Sequence, residues 1–322
     1  MGKQSLKKPI IDATPARKGM VWVPGGAFAM GSNDHYPEEA PVRDVTVEGF
    51  WIDEHPVTNL EFTRFVKDTG HVTFAERTPD PEQYPGALPE MLFAGSIVFK
   101  KSAGPVDLQN PYNWWEWRKG ADWRHPEGPG SSLHGRERHP VVHVTFSDAE
   151  AYATWAGKEL ATEAEWEFAA RGGHGGAEFA WGDDYMPDGK AMANTWQGEF
   201  PYENLLVDGY EGTSPVGSFP PNSYGLLDMI GNVWEWTTNW YTAEHKTASA
   251  CCGADPRAES VEPGDPSGIP RRVMKGGSHL CAPNYCRRYR PAARMAQTID
   301  TSTCHLGFRC IVRSLGKNHL PR

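Results

Sequence analysis

The sequence predicts an α+β domain of sparse regular structure, with a few short helices set on loop-heavy antiparallel sheet. Three observations predict it. Glycine and proline number 34 and 27 among 322 residues and recur throughout, so strands and helices should be short and loops long. Thirteen tryptophans stand in a chain that is only 39% apolar, so aromatic rings must supply much of the burial. Three segments, all short, open with the hydroxyl-x-x-glutamate signature of a capped helix.

Taken in order, residues 1–18 read as a disordered basic tail, residues 19–314 as a single domain, and residues 315–322 as a loose end. Order is expected from Met20, with a short strand, a turn at Gly25-Gly26 and a second strand ending near Met30. Asp44 to Ile52 alternates as one further strand. The helix starts are Thr58-x-x-Glu61, Ser147-x-x-Glu150 and Thr162-x-x-Glu165, and the segments close at Gly70, Gly157 and Gly172. Leu60, Phe65 and Val66 form the apolar face of the first; Trp166, Phe168 and Ala169 form that of the third. Between the first two helices lies a long irregular stretch whose tryptophans, Trp114, Trp115, Trp117 and Trp123, argue against disorder. Further on, a turn and a bend lead into a buried Trp-rich strand near Trp234, and LGFRCIVRS supplies a closing strand. Residues 245–270 read as a surface excursion in which Cys251 and Cys252 are incidental.

Composition bounds the function. A net charge of −9 argues against nucleic acid as the main partner and favours a basic peptide. No stretch reaches the ~18 apolar residues of a membrane span. The N-terminus has lysines but no apolar core of a secretory signal, and six cysteines are low usage, so a cytoplasmic location is expected.

The chemistry concentrates in Lys275 to Arg294, KGGSHLCAPNYCRRYRPAAR. Cys281 and Cys286 flank a Pro-Asn-Tyr turn, and Arg287, Arg288, Arg290 and Arg294 follow or adjoin them. Fixed positive charge biases a thiol towards thiolate. Two thiolates are too few for a closed zinc site but suit Cu(I), which accepts soft sulfur ligands. Spacing alone leaves open a packed pair of cysteines or a short-loop disulfide. His143 is read as a satisfied core histidine in an apolar strand; His279 and His305 lack a ligand-spacing pattern and are left outside the metal site.

Several strings occur in order: VWVPGGAFAMGS, PVTNLEFTRFV, DWRHPEGPGSS, ANTWQGEF, GLLDMIGNVWEWT, SHLCAPNYCRRYR and LGFRC. Together they resemble the formylglycine-generating enzymes, the sulfatase-modifying factor family. The resemblance implies a sparse variant of the C-type-lectin fold. It also implies an O2-consuming oxidation of the cysteine in a Cys-x-Pro-x-Arg motif of unfolded sulfatases to formylglycine. In the matching positions Cys281 and Cys286 hold copper(I), Ser278 and Trp234 border the oxygen pocket, and Arg294 lines the substrate groove. Calcium is implied at Asn194, Thr195, Asp208 and Tyr210, and again at Asp228, Gly231, Val233 and Glu235. A monomer is expected, without nucleic-acid or membrane partners. Secreted members carry two disulfides; here the matching positions are Ala153, Ala170 and Pro291, so Cys310 lacks its partner and Cys304 has no counterpart. Two other functions share the wider superfamily: a lectin-like binding module without chemistry, and an iron-dependent sulfoxide synthase. The paired cysteines favour the oxidase over the first. The second needs a helical domain with a His-x-x-x-Glu motif, and none fits here.

Overall fold

The computed structural model describes residues 17–243 and 255–313. The expected tails lie outside them, apart from Arg17 and Lys18, as do Cys251 and Cys252. Regular structure is sparse, as composition predicts, and the class is α+β.

Two four-stranded sheets form the frame. One has the order β1 (Met20–Val23), β4 (Phe50–Asp53), β12 (Cys310–Arg313), β7 (Glu159–Leu160). The other has the order β10 (Arg294–Thr298), β9 (Arg271–Lys275), β8 (Trp234–Trp240), β11 (Leu306–Gly307). Two hairpin-like pairs complete it, β2 (Gly26–Met30) with β3 (Arg43–Val47), and β5 (Gly95–Phe99) with β6 (Trp115–Lys119). Pairing is antiparallel except between β11 and β8.

Two expected strands are each split between sheets. Asp44–Ile52 divides into β3 and β4 because the chain bends at Glu48-Gly49, where an added Cβ at Gly49 would fall 2.6 Å from the Trp22 ring. LGFRCIVRS divides likewise into β11 and β12. The long stretch between the first helices is not wholly irregular: it contains the β5–β6 pair, with Trp114 and Trp123 buried beside it.

The helices follow their caps. In α1 (Asn59–Thr69) Thr58 and Glu61 close a reciprocal capping box, and Gly70 ends the helix at φ 69°. In α3 (Glu163–Arg171) Thr162 and Glu165 do the same before Gly172 at φ 57°. The second start is corrected: α2 (Phe146–Trp155) is capped by Thr145 with Asp148, not by Ser147 with Glu150. Asp148 is buried and also accepts from Phe74 N and His71, which fixes the register from outside the helix. On α1 Phe65 and Val66 face inward as expected, joined by Phe62, while Leu60 is 43% exposed, contrary to its expected place on the apolar face. His143 is a satisfied core residue as expected, bonded to Ser96 Oγ at 2.7 Å and Pro126 O at 2.9 Å. It lies in a bend with φ 60°, however, not in a strand.

The main core joins Phe62, Phe65, Trp166, Trp234, Trp236 and Phe308. A smaller cluster gathers Trp114, Trp196, Phe200, Leu280 and Ala282. Cys281 and Cys286 belong to the first cluster and their neighbours Leu280 and Ala282 to the second, so the thiol segment occupies the seam.

Buried charge ties that seam to α3. Lys275 Nζ donates to Glu167 Oε2 at 2.9 Å, and Arg171 donates to Glu167 Oε1 at 2.7 Å. Burial opposes ionisation of Glu167, yet Lys275 and Arg171 outweigh it and hold its carboxyl below the usual range. A carboxyl with a depressed native pKa contributes stability above its unfolded pKa and loses it as pH falls through the native one. We expect Glu167→Gln to destabilise the fold by about 3–5 kcal/mol at neutral pH, because Lys275 is left buried without its close partner. The difference from wild type should shrink as pH drops below the carboxylate range. Chemical denaturation at pH 7 and pH 3 reads both, and an unchanged midpoint at pH 7 contradicts the assignment.

Candidate active site

Beyond β9 the chain must double back, and two glycines allow it. Gly276 and Gly277 adopt φ 97° and 72°. A Cβ on Gly277 would lie 2.7 Å from Arg288 O, so only glycine fits against the returning chain. A turn follows, with Cys281 N donating to Ser278 O at 2.9 Å. A second turn brings Cys286 N to Ala282 O at 3.0 Å. Tyr285 stacks on Phe200, with centroids 4.5 Å apart, and Asn284 bonds Glu199, which pins the Pro-Asn-Tyr turn from the Trp196–Phe200 side.

These turns place Cys281 Sγ 3.3 Å from Cys286 Sγ. A disulfide measures about 2.05 Å, so the pair is a thiol–thiol contact, and both cysteines are free. The bonded alternative left open by spacing is thereby settled for this structure. The two sulfurs are electrostatically unequal. Cys286 is lowered to about 7, first by its hydrogen bond from Cys281 and then, against burial, by Arg288. Cys281 is pushed well above the usual thiol range by burial and by its neighbour.

The flanking arginines do not act as one field. Arg288 alone reaches a thiol, with Nη1 3.8 Å from Cys286 Sγ, while its other arm pairs with Glu38 at 2.6 Å and its plane covers Tyr36. Arg287 pairs with Glu178 and Arg290 with Glu39. Arg294 is corrected: it is buried in β10, bonded to Glu163 at 2.7 and 3.1 Å and to the carbonyls of Thr242 and Glu38. It is committed to these partners and is not among the residues lining the cavity on the thiols.

A cavity of about 290 Å³ opens on the thiols. Ser278, Trp234, Tyr285 and His305 are among its walls. Ser278 and Trp234 thus line the same cavity as Cys281 and Cys286. His305 was passed over for lack of a spacing pattern, and the parallel β11–β8 pairing delivers it through Trp234 N donating to His305 O at 2.8 Å. Burial lowers its pKa to about 3, so it is a neutral imidazole stacked on Trp115. His279 bonds Asn232 O and is not among the residues lining this cavity.

Among the described residues no three His, Cys, Asp or Glu side chains are grouped to hold a metal. Two free thiols facing a cavity nevertheless fit a soft monovalent ion that can take a third ligand from outside. The first calcium set is brought together in part. Asp208 accepts from Thr195 N and Tyr210 N at 3.0 Å each, and buried Asn194 Oδ1 has no hydrogen-bond partner, the kind of orphan that a cation would satisfy. The second set does not fit as arranged. Glu235 accepts from Arg309 through both oxygens and from Trp166 Nε1, which fills its lone pairs and offsets its charge. Asp228 bonds Gly217 N, and Gly231 and Val233 lie in the turn before β8.

Residues 8–314 match the sulfatase-modifying factor enzyme 1-like domain. The chain belongs to the sulfatase-modifying factor family. A formylglycine-generating enzyme of Mycobacterium tuberculosis is 54% identical over 91% of this chain and 97% of its own length. The formylglycine-generating enzyme of Mus musculus is 46% identical over 94% of this chain and 76% of its own. Among solved structures, PvdO from Pseudomonas aeruginosa superposes with a TM-score of 0.59 at 26% identity, covering 92% of this chain and 94% of that one.

In this family member the inequality of the two thiols is directly measurable. In metal-free protein Cys286 should alkylate before Cys281, with half-maximal rate near pH 7. Arg288→Gln should move that midpoint upward, since it removes a charge that favours the thiolate. Peptide mapping after timed iodoacetamide treatment reads both, and initial labelling at Cys281 contradicts the assignment.

Proposed function

We propose that this chain oxidises a cysteine of a sulfatase polypeptide, within a Cys-x-Pro-x-Arg motif, to formylglycine with O2, using Cu(I) held by Cys281 and Cys286. The observation that carries the reading is the pair of free thiols 3.3 Å apart, buried at the end of a cavity. The relatives named as formylglycine-generating enzymes, similar over nearly the whole chain, support it. A binding module has no use for a buried pair of soft ligands that opens on a cavity.

Bound Cu(I) would supply the redox partner for O2 and a third coordination position for the substrate thiol. The chain's own residues prepare that position. The contact with Cys281 and the Arg288 guanidinium hold the Cys286 thiol below its usual range, which favours its entry as thiolate. Arg288 neutralises it, and Tyr36 and Glu38 hold Arg288 in place. Trp234, Tyr285 and the stacked His305–Trp115 pair line the cavity, so aromatic rings border the oxidisable sulfurs. Calcium, at Asn194 and Asp208 with the carbonyls of Thr195 and Tyr210, would brace the loop behind Trp196, whose backbone N–H donates to Cys281 O. Four free thiols among the described cysteines suit a reducing compartment.

Oxygen uptake with a Cys-x-Pro-x-Arg peptide should appear on addition of Cu(I), with an aldehyde in the peptide by mass spectrometry. Cys281→Ser and Cys286→Ser should each lower turnover by at least about a thousandfold, as loss of a unit acting together does, without unfolding the protein. Wild-type turnover that survives thorough copper chelation contradicts the proposal. Calcium carries its own test: EGTA should lower the melting temperature of wild type and leave that of Asp208→Asn unmoved. Equal melting with and without EGTA in wild type removes calcium from the account.

A further inference from the structure

Across the same backbone from the thiol cavity lies a larger one, of about 620 Å³. Three neighbouring pairs divide between the two. Ile97, Ser278 and His305 line the thiol cavity, while Val98, His279 and Cys304 line this one. We propose that the larger cavity is a binding site for a short peptide of two or three residues with both termini free. The site is separate from the two thiols, and the inference goes beyond the functional reading above.

The inner wall offers hydrogen-bonding groups that the protein leaves unspent. His279 is 6% exposed, and its Nδ1 is taken by Asn232 O at 2.9 Å. A carbonyl can only accept, so Nδ1 carries the hydrogen, and in the neutral ring Nε2 is an acceptor. That nitrogen has no partner among the described residues. Asn59 and Trp196, 4 and 1% exposed, add a second acceptor and a donor. Asn59 Oδ1 and Trp196 Nε1 both lack partners, although Asn59 Nδ2 is anchored to Arg136 O at 2.9 Å. Buried polar groups are rarely left unpaired, so three in one wall point to an occupant. A donor and two acceptors together suit peptide units, each of which presents one C=O and one N–H.

The outer wall selects the charge of that occupant. Lys101 pairs with Glu211, and Arg136 with Glu127, and all four side chains are at least 40% exposed. Exposed pairs of this kind contribute little, so each ion can exchange its partner for a terminus of the ligand. The two cations suit a carboxylate and the two carboxylates an ammonium. Charges of both signs in one wall favour a zwitterion over an ion of a single sign. Between the charged and the buried groups, Val98, Phe99, Pro126 and Val142 supply apolar surface for side chains. The volume lies within the range of about 300–1,000 Å³ that takes a ligand larger than a single amino acid.

Calorimetry tests this on the full chain, without copper or oxidation. The probes are Ala-Val-Ala and Ala-Leu-Ala, each as the free acid and as the C-terminal amide. At least one free acid should bind saturably, one per chain, and about tenfold more tightly than its amide, the scale of a carboxylate set between two partly exposed cations. Lys101→Gln combined with Arg136→Gln, both at exposed side chains, should erase that difference while leaving the amide within about twofold of wild type. The absence of saturable heat with either free acid would mean that the cavity holds water only, and overturns the proposal. Equal affinity of acid and amide for wild type overturns it too. So does a preference for the acid that survives in the double variant, because the peptide would then lie elsewhere.

Discussion

The structure depends on the burial of a basic segment among carboxylates. Residues 276–293, between β9 and β10, have no regular hydrogen-bond ladder of their own. Their shape is set by charge pairs at both ends and in the middle. Lys275 meets Glu167, Arg294 meets Glu163, and Arg290 meets Glu39 with two bonds of 2.8 and 2.5 Å. Each member of these pairs is nearly inaccessible to water. Ion pairs of this kind add little net stability over apolar side chains, but breaking one is costly, so they act chiefly by excluding other arrangements. The pairs fix the ends of the segment, and the turns between them, pinned through Tyr285 and Asn284, bring Cys281 to Cys286.

That constraint explains how a pair of thiols remains unequal while almost touching. The segment sits at the seam of two cores, so both sulfurs are buried, and burial alone would raise both thiols. Only Cys286 has a guanidinium within reach, because the other arginines are committed to carboxylates elsewhere. One sulfur near neutrality and one well above it is the arrangement expected of a donor pair that is assembled on binding and not one that repels itself when empty.

What was legible in the sequence follows the range of the interaction that sets it. Caps at Thr58 and Thr162 are local, three residues long, and were read directly. The α2 register was missed because Asp148 is claimed by His71 and Phe74, far away in sequence. The two cysteines stood out by spacing, but their separation and their inequality depend on Glu38, Glu39 and α3. Arg294 shows the same limit: its position in sequence is near the site, but Glu163, far away in sequence, holds it. His305 carries no motif and reaches the thiol cavity only through turns distant in sequence. Glu235 lies in the quoted GNVWEWT string, yet Arg309, the arginine of LGFRC, occupies it.

The central claim is that the two thiols form one soft-metal site. Anaerobic titration of the folded chain with Cu(I), in competition with a soft chromogenic chelator, measures it most directly. The account predicts one tightly held equivalent in wild type and none in the Cys281→Ser, Cys286→Ser double variant, with Cys304 and Cys310 unchanged in both. Retention of that equivalent by the double variant would contradict it.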